Sequence, residues 1–255
     1  MKYLIGWVLR TIPRKYLQRV SGIVLKSMDL FYRGNKVECP ICEKTYRKFL
    51  PYGRINPREN ALCPGSQSLE RHRLMWLYLK EKTDFFTAPH KLLHIAPESC
   101  FIKKFEALPN ITYTTADLES PLAKVKMEIH AMPFADNSFD IVFCNHVMEH
   151  VEDDLQAMRE IYRVLSLGGW AIIQSPINES LATSYEDASI TSPQGREKAF
   201  GQDDHLRMYG RDYPERLRAA GFEVVEDRFV MEMSPEKVAR YALPANEIIY
   251  LCKKV

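Results

Sequence analysis

The residues PFADNSFDIVFCNHVMEHV at positions 133–151 and RVLSLGG at positions 163–169 decide the fold of this chain. Residues 140–144 are mostly apolar and predict a buried β-strand. Asp153 or Asp154 can cap the helix that follows, and Gly168-Gly169 predicts where that helix ends. The apolar residues of this helix recur at helical spacing: Leu155, Met158, Ile161, Tyr162 and Leu165.

Strand and helix patterns alternate on both sides of this stretch. The other predicted strands are residues 92–96, 111–116, 170–173, 222–225 and 247–252, and the other predicted helices are residues 101–107 and 212–220. Strands separated by helices at this spacing predict an α/β fold with a mostly parallel sheet and helices on both faces. Such sheets bind ligands beyond the carboxyl ends of their strands.

Three motifs occur in a fixed order in this region: PF-x-D-x-SFD, HV-x-EH and RVL-x-x-GG. In this combination the chain resembles the class I S-adenosylmethionine-dependent methyltransferases, in particular their type 11-like branch, from Lys91 to Val255. The resemblance implies a Rossmann-like, doubly wound sheet of seven strands with the last strand antiparallel. It also implies S-adenosylmethionine as cofactor and methyl transfer to an acceptor that the sequence does not identify.

The resemblance places the cofactor at four points of the sequence. The implied cofactor-binding residues are His94, Ala96, Pro97, Glu98, Asp117, Leu118, Glu128, Ile129 and Asn145. Asp117 occupies the place of the acid that binds the ribose hydroxyls, and Glu128 that of the acid near the adenine amino group. The loop 94–100 departs from the family, because His94 replaces an acid and Ala96, Glu98 and Cys100 replace glycines. Either Glu98 supplies the missing negative charge for the cofactor's ammonium group, or cofactor binding is lost.

A base is needed only if the methyl acceptor must lose a proton. His146, Asp204 and His205 are the predicted catalytic residues, and His150 is interpreted as a structural histidine. Residues 175–207 form a long polar connection, which is typical of a lid or a specificity loop. Cys144 ends an apolar strand and is expected to be a buried, unreactive thiol.

The cysteines of the N-terminal part form a Cys-x-x-Cys knuckle, Cys39 and Cys42, followed by Cys63. Tetrahedral zinc takes four nitrogen or sulfur ligands, and Ser66 stands where a zinc ribbon has its fourth cysteine. His72 can supply the fourth ligand of a structural zinc site, or the knuckle is vestigial. The six cysteines form no disulfide framework, so we expect a reducing, cytoplasmic location.

Charge is distributed unevenly along the 255 residues. Residues 1–80 carry a net charge of +11 within a chain whose net charge is +2. The basic part contacts either an anionic partner, such as RNA or a membrane surface, or the acidic remainder of the chain. Residues 16–31 show the spacing of a basic amphipathic helix, which can lie on an anionic membrane or pack on its own domain. No stretch is long and apolar enough to predict a transmembrane segment.

We therefore predict three regions: a basic helical segment (1–35), a zinc-ribbon-like segment (36–75) and a methyltransferase-like domain (76–255). Methyl transfer is the first functional hypothesis. A catalytically inactive binding protein with the same fold is the second. An RNA-binding protein that uses the basic N-terminal region is the third, because Tyr46, Phe49 and Tyr52 alternate with basic residues.

Overall fold

The computed structural model describes residues 28–53 and 57–255. They form two compact units, one of the described residues from 28 to 78 with 230–245, and the other of residues 79–229 and 246–255. The predicted division at residues 35 and 75 stays a prediction. Of the predicted N-terminal helix, residues 16–31, the part from 16 to 27 lies outside the described residues. None of the described helices is both long enough and apolar enough to cross a membrane.

The first unit is built from two short antiparallel hairpins. Strand β1 (Arg33–Cys39) pairs with β2 (Lys44–Tyr46), and β3 (Leu50–Tyr52) pairs with β4 (Arg58–Leu62). Helix α1 (Glu70–Lys82) follows. The unit also contains a 3-10 turn that begins at Phe229 and helix α6 (Pro235–Tyr241).

The guanidinium group of Arg73 organises this unit. Arg73 is fully buried, and it donates hydrogen bonds to the carbonyl oxygens of Ala61, Ser68, Tyr241 and Ala242 at 2.7–3.0 Å. Its charge lies 4.4 Å from the centre of the Phe49 ring. A buried cation is tolerated here because carbonyl dipoles and an aromatic face replace its hydration.

The second unit contains a seven-stranded sheet. Its strands are β5 (His90–Ile95), β6 (Ile111–Asp117), β7 (Val125–Lys126), β8 (Phe139–Asn145), β9 (Leu165–Gln174), β12 (Glu223–Asp227) and β13 (Ile249–Lys253). Their spatial order is β12-β13-β9-β8-β5-β6-β7, and β13 runs antiparallel to both of its neighbours. The predicted Rossmann-like sheet with an antiparallel last strand is therefore confirmed.

Helices and a long connection complete the second unit. The helices are α2 (Ser99–Glu106), α3 (Asp154–Val164), α4 (Pro193–Phe200) and α5 (Tyr213–Ala219). The connection after β9 carries two short strands, β10 (Tyr185–Glu186) and β11 (Arg207–Met208), which pair antiparallel. The predicted long polar loop thus contains secondary structure of its own.

The prediction for the end of helix α3 was wrong. The helix ends at Val164 and strand β9 begins at Leu165, so Gly168 and Gly169 lie within the strand. They form a bulge, because the register with β8 shifts there and a Cβ atom on Gly169 would lie 2.7 Å from the carbonyl oxygen of Asp140. The glycines therefore allow a close approach of two strands and do not cap the helix.

Asp154 is a buried carboxylate at the start of α3. It accepts two hydrogen bonds from Arg216, at 2.7 and 2.9 Å, and one from the Tyr209 hydroxyl at 2.7 Å. Burial acts to raise the pKa of Asp154, but the hydrogen bonds from Arg216 and Tyr209 and the charge of Arg207 outweigh it and lower that pKa. This carboxylate ties helices α3 and α5 to strand β11.

We expect Asp154→Asn to lower the free energy of unfolding by about 2 kcal/mol, because it removes two charged hydrogen bonds from Arg216, which keeps Glu186 as its other partner. The stabilisation by Asp154 is complete above pH 4 and is lost as the pH falls through its lowered pKa, since protonation removes the charge. Urea titration at pH 7 measures the effect. The neighbouring Asp153→Asn is the control, because asparagine caps a helix as well as aspartate does. Equal losses in the two variants would contradict the prediction.

Candidate active site

The candidate site lies where strands β6, β5 and β8 end. Ile95 is in register with Ala116 of β6 and with Cys144 of β8, so the three strands end side by side. The polar residues that follow these strands therefore meet at one edge of the sheet.

The loop after β5 keeps a glycine-like backbone without glycine. Ala96 has a φ of +50°, which is in the left-handed region, and its N–H donates to the Ala116 carbonyl oxygen at 2.9 Å. This conformation is one that glycine adopts readily and alanine adopts at a cost. The loop after β5 therefore makes the turn that glycine would favour, although it contains no glycine.

His94 and Glu98 form one hydrogen-bonded system. His94 is fully buried, and its Nε2 contacts the Glu98 carboxylate while its Nδ1 lies 2.8 Å from the Tyr113 hydroxyl. Because a carboxylate only accepts, Nε2 carries the hydrogen and Nδ1 accepts from Tyr113. Burial and the charge of Glu98 raise the pKa of Tyr113, which keeps the hydroxyl protonated. Asn145 donates to the other Glu98 oxygen at 3.0 Å.

The Glu98 carboxylate therefore bridges the ends of β5 and β8. His94 has no exposed surface, so it can influence a ligand only through Glu98. Tyr113 was not among the predicted site residues. Tyr113 lies within the predicted strand 111–116, and the sequence of that strand does not indicate that the Tyr113 hydroxyl contacts His94.

Asp117 ends strand β6 with one oxygen already engaged. Its Oδ1 accepts the backbone N–H groups of Glu119 and Ser120 at 2.8 and 2.6 Å, and Oδ2 has no partner in the described part of the chain. Leu118 beside it is 51% exposed. A carboxylate oxygen and an apolar side chain are thus both available to a ligand.

The predicted adenine-side residues lie further along the chain. Glu128 is exposed and pairs with His130 at 2.7 Å, and Ile129 is buried in the core. Burial acts to raise the pKa of Glu128, but its hydrogen bonds with His130 outweigh this effect and lower it. These contacts use only Oε1, so the exposed Oε2 of Glu128 can meet a ligand while the contact with His130 is kept.

The predicted catalytic residues come together after strand β8. The ring centroids of His150 and His205 are 4.8 Å apart, and His150 Nδ1 lies 3.6 Å from Asp204 Oδ2. His146 Nδ1 lies 3.3 Å from Oε1 of Glu149. Burial lowers the pKa of His205, so this imidazole is neutral near pH 7.

Glu149 is the charged centre of this cluster, and the sequence assigned it no role. It is 2% exposed, and its Oε2 accepts a hydrogen bond from the Ser175 hydroxyl at 3.0 Å. Burial acts to raise its pKa, but the hydrogen bond with His146 and the electrostatic attraction of the nearby His146 and His150 rings outweigh burial and lower that pKa. Glu149 is therefore ionised. The sequence signal that could have identified Glu149 as a site residue is its place in the motif HVMEH, between two histidines.

Cys144 lies behind these groups in strand β8. It is fully buried, and burial raises its pKa well above the ordinary thiol value. It is therefore a core residue and not a nucleophile.

Part of this chain is similar in sequence to known methyltransferases. Residues 83–173 match the profile of a family described as "Methyltransferase domain". A ubiquinone/menaquinone biosynthesis C-methyltransferase of Klebsiella pneumoniae is 31% identical over 115 residues, which are 40% of this chain and 46% of that protein. Residues 83–173 therefore match a methyltransferase domain, as the motifs of this region predict.

Two solved structures resemble the chain at low identity. A Burkholderia thailandensis 1,6-didemethyltoxoflavin-N1-methyltransferase with bound S-adenosylhomocysteine is 18% identical, with 66% of this chain and 72% of that chain covered and a TM-score of 0.42. The [4+2]-cyclase SpnF is 15% identical, with 91% and 94% covered and a TM-score of 0.49. The chain spans less than half the length of the first curated relatives that it matches, 21% and 46%.

Outside the methyltransferase domain, three cysteines lie together. The sulfur atoms of Cys39, Cys42 and Cys63 are all within 4.8 Å of one another. The hydroxyl groups of Ser66 and Ser68 lie 3.2 and 3.5 Å from Cys39 Sγ. Three thiols in one small volume fit a zinc ion, with one ligand still to be supplied.

The structure does not bring His72 into this group. Its Nδ1 accepts the backbone N–H of Leu69 at 3.1 Å, at the start of helix α1. Ser66 lies where the fourth ligand is expected from the sequence, because it replaces the second cysteine of the second knuckle. Zinc binding by Cys39, Cys42, Cys63 and His72 stays a prediction.

We expect Ala96→Gly to raise the free energy of unfolding by about 1 kcal/mol, because glycine relieves the left-handed backbone at this turn. Ala219→Gly is the matched control. Ala219 is exposed and is the last residue of helix α5, so glycine there lowers the stability by at most about 0.5 kcal/mol. Chemical denaturation of both variants measures the opposite signs. A loss of stability in Ala96→Gly would show that the turn does not require glycine-like geometry.

After dialysis against a weak chelator, we expect the zinc content of Cys42→Ser to be lower than that of the wild type by about one ion per chain. The substitution removes one thiolate ligand of the zinc ion. Metal analysis of the dialysed protein is the measurement. Cys252→Ser, which removes a buried thiol of strand β13, should retain as much zinc as the wild type. Equal zinc content in all three proteins would argue for a vestigial knuckle.

Proposed function

We propose that this protein transfers the methyl group of S-adenosylmethionine to an acceptor held beside the loop that follows strand β8. One observation carries the proposal: two acids, Glu98 and Asp117, stand at the carboxyl ends of adjacent parallel strands within the methyltransferase domain. The match of residues 83–173 to the family supports it.

The residues at this edge fit the cofactor. Asp117 would bind the ribose, because its Oδ2 can accept from a hydroxyl while Oδ1 holds the turn. Leu118 offers an exposed apolar surface to the purine. Glu98 would lie near the ammonium group, since His94 and Asn145 hold its carboxylate at the end of β5. The negative charge thus moves from position 94 to position 98 and is not lost from the edge.

The cofactor supplies an activated methyl group, so the chain has mainly to position the acceptor. Where the acceptor must lose a proton, His146 and His205 are the proposed bases. The Nε2 atom of each is buried and has no hydrogen-bond partner in the described part of the chain, so each can accept a proton. Asp204 would orient His150, and through it His205.

Two other functions are less well supported by the geometry. In the first unit, Tyr46 and Phe49 are fully buried, and the Arg47 guanidinium lies 4.9 and 5.0 Å from the ring centres of Phe31 and Tyr32. Tyr46 and Phe49 therefore offer no face for stacking with RNA bases, and Tyr52, which is 47% exposed, is the one residue of the predicted aromatic set that does. An inactive binding protein differs from the proposed enzyme in cofactor binding. A cytoplasmic location agrees with six free cysteines and stays a prediction.

We expect Asp117→Ala to weaken the binding of S-adenosylmethionine by about 10- to 100-fold, because it removes charged hydrogen bonds to the ribose. Titration calorimetry with S-adenosylmethionine and S-adenosylhomocysteine measures the change. Glu119→Ala is the control, since it removes an exposed acid two residues away and leaves the backbone N–H that Asp117 accepts. If the wild type binds neither compound, the protein is not a methyltransferase of this kind.

A further inference from the structure

A second group of possible metal ligands lies in the methyltransferase unit, apart from the cysteines. One carboxylate oxygen of Glu149 and one ring nitrogen each of His150 and His205 lie within 4.8 Å of one another. Two imidazoles and one carboxylate form a donor set that suits divalent transition-metal ions.

His205 offers a lone pair that nothing in the described chain uses. The residue is 5% exposed, and its Nδ1 lies 3.3 Å from the Phe200 carbonyl oxygen. Because a carbonyl oxygen only accepts, Nδ1 carries the hydrogen, and Nε2 is left as a buried acceptor without a partner among the described residues. A buried acceptor without a partner destabilises the folded protein, so the site requires a donor or a cation.

Hydrogen-bond partners also orient His150 and Glu149. His150 Nδ1 lies 3.3 Å from the Asp204 carbonyl oxygen, so its Nε2 carries the free lone pair. Glu149 is held by the Ser175 hydroxyl. Metal-binding histidines commonly donate their second ring N–H to a carbonyl or carboxylate, and metal-binding carboxylates are hydrogen-bonded in turn. The three residues therefore have the outer contacts that metal ligands have.

The backbone fixes the two segments that carry these side chains. The N–H of Leu206 donates to the Glu149 carbonyl oxygen at 2.8 Å, and Arg207 donates to the carbonyl oxygens of Met148 and Glu152 at 2.8 Å each. Ligands around a tetrahedral ion at about 2.1 Å lie about 3.4 Å apart. Side-chain rotations that shorten the separations between the ligand atoms by up to about 1.4 Å would therefore suffice for binding.

We propose that Glu149, His150 and His205 bind one divalent transition-metal ion, in which case His205 Nε2 is a metal ligand and His146 alone remains as the base. Three protein ligands leave at least one coordination position open. The His150 side chain is 35% exposed, so solvent reaches the group from that side. The open position takes an oxygen or nitrogen donor of the methyl acceptor, and this last role rests on the proposed function.

Cobalt(II) titration of metal-free protein separates this site from the cysteines. Binding at the cysteines gives an intense thiolate-to-metal absorption, whereas nitrogen and oxygen ligands give only weak visible bands. We expect both signals in the wild type, and we expect Glu149→Gln and His150→Ala to lose the weak, non-thiolate signal. Acetohydroxamate, a bidentate oxygen ligand, should shift the weak bands because it enters the open positions.

His90→Ala is the matched histidine control and should keep both signals, because His90 lies at the start of β5 and pairs with Asp84. Circular dichroism of each variant verifies its folding, and His150→Ala removes a partly exposed side chain, so it retains the fold. Absence of non-thiolate binding in the wild type, or its persistence in both variants, would overturn the proposal. Calorimetry with S-adenosylmethionine on metal-free wild type tests the proposed function separately.

Discussion

The in-register parallel pairing of strands β6, β5, β8 and β9 is the constraint on which the site depends. Ile95, Ala116 and Cys144 are hydrogen-bonded neighbours, and Cys144 is in register with Ile173. All four strands therefore end at one edge. Asp117 ends β6, and Ala96, His146 and Ser175 directly follow the other three strands. Residues far apart in sequence therefore become neighbours through the pairing of the strands alone.

Buried charges hold the segments that cross this edge. Arg207 fixes the loop after β8 through backbone carbonyls, and Asp154 joins α3 to α5 and β11 through Arg216 and Tyr209. Glu186 is a second carboxylate partner of both Arg207 and Arg216, so the charges form a network of four side chains. The loop after β8 and the connection after β9 therefore keep a defined geometry, and Glu149 and His205 stay within reach of each other.

The sequence was sufficient for most of the fold because periodicity reports burial. The strand patterns at 92–96, 111–116 and 140–144 match β5, β6 and β8 to within two residues at each end. The end of α3 was not predictable in this way, since glycine serves equally as a helix cap and as a point of close approach between strands. Glu149 and Tyr113 were missed as site residues because their roles depend on contacts across the fold, with Ser175 and His94, which periodicity does not encode.

The presence of His94, where the related family has an acid, is explained by the hydrogen-bond partners available at this buried position. A carboxylate at this fully buried position would need partners for two oxygens, whereas an imidazole needs one acceptor and one donor. Glu98 supplies the acceptor and Tyr113 the donor. The buried position thus becomes a hydrogen-bonded support, and the negative charge stands four residues later, where the carboxylate is 14% exposed. A charge that a ligand can reach is more useful to binding than one enclosed in the core, so the loop keeps its electrostatic character although its sequence pattern is lost.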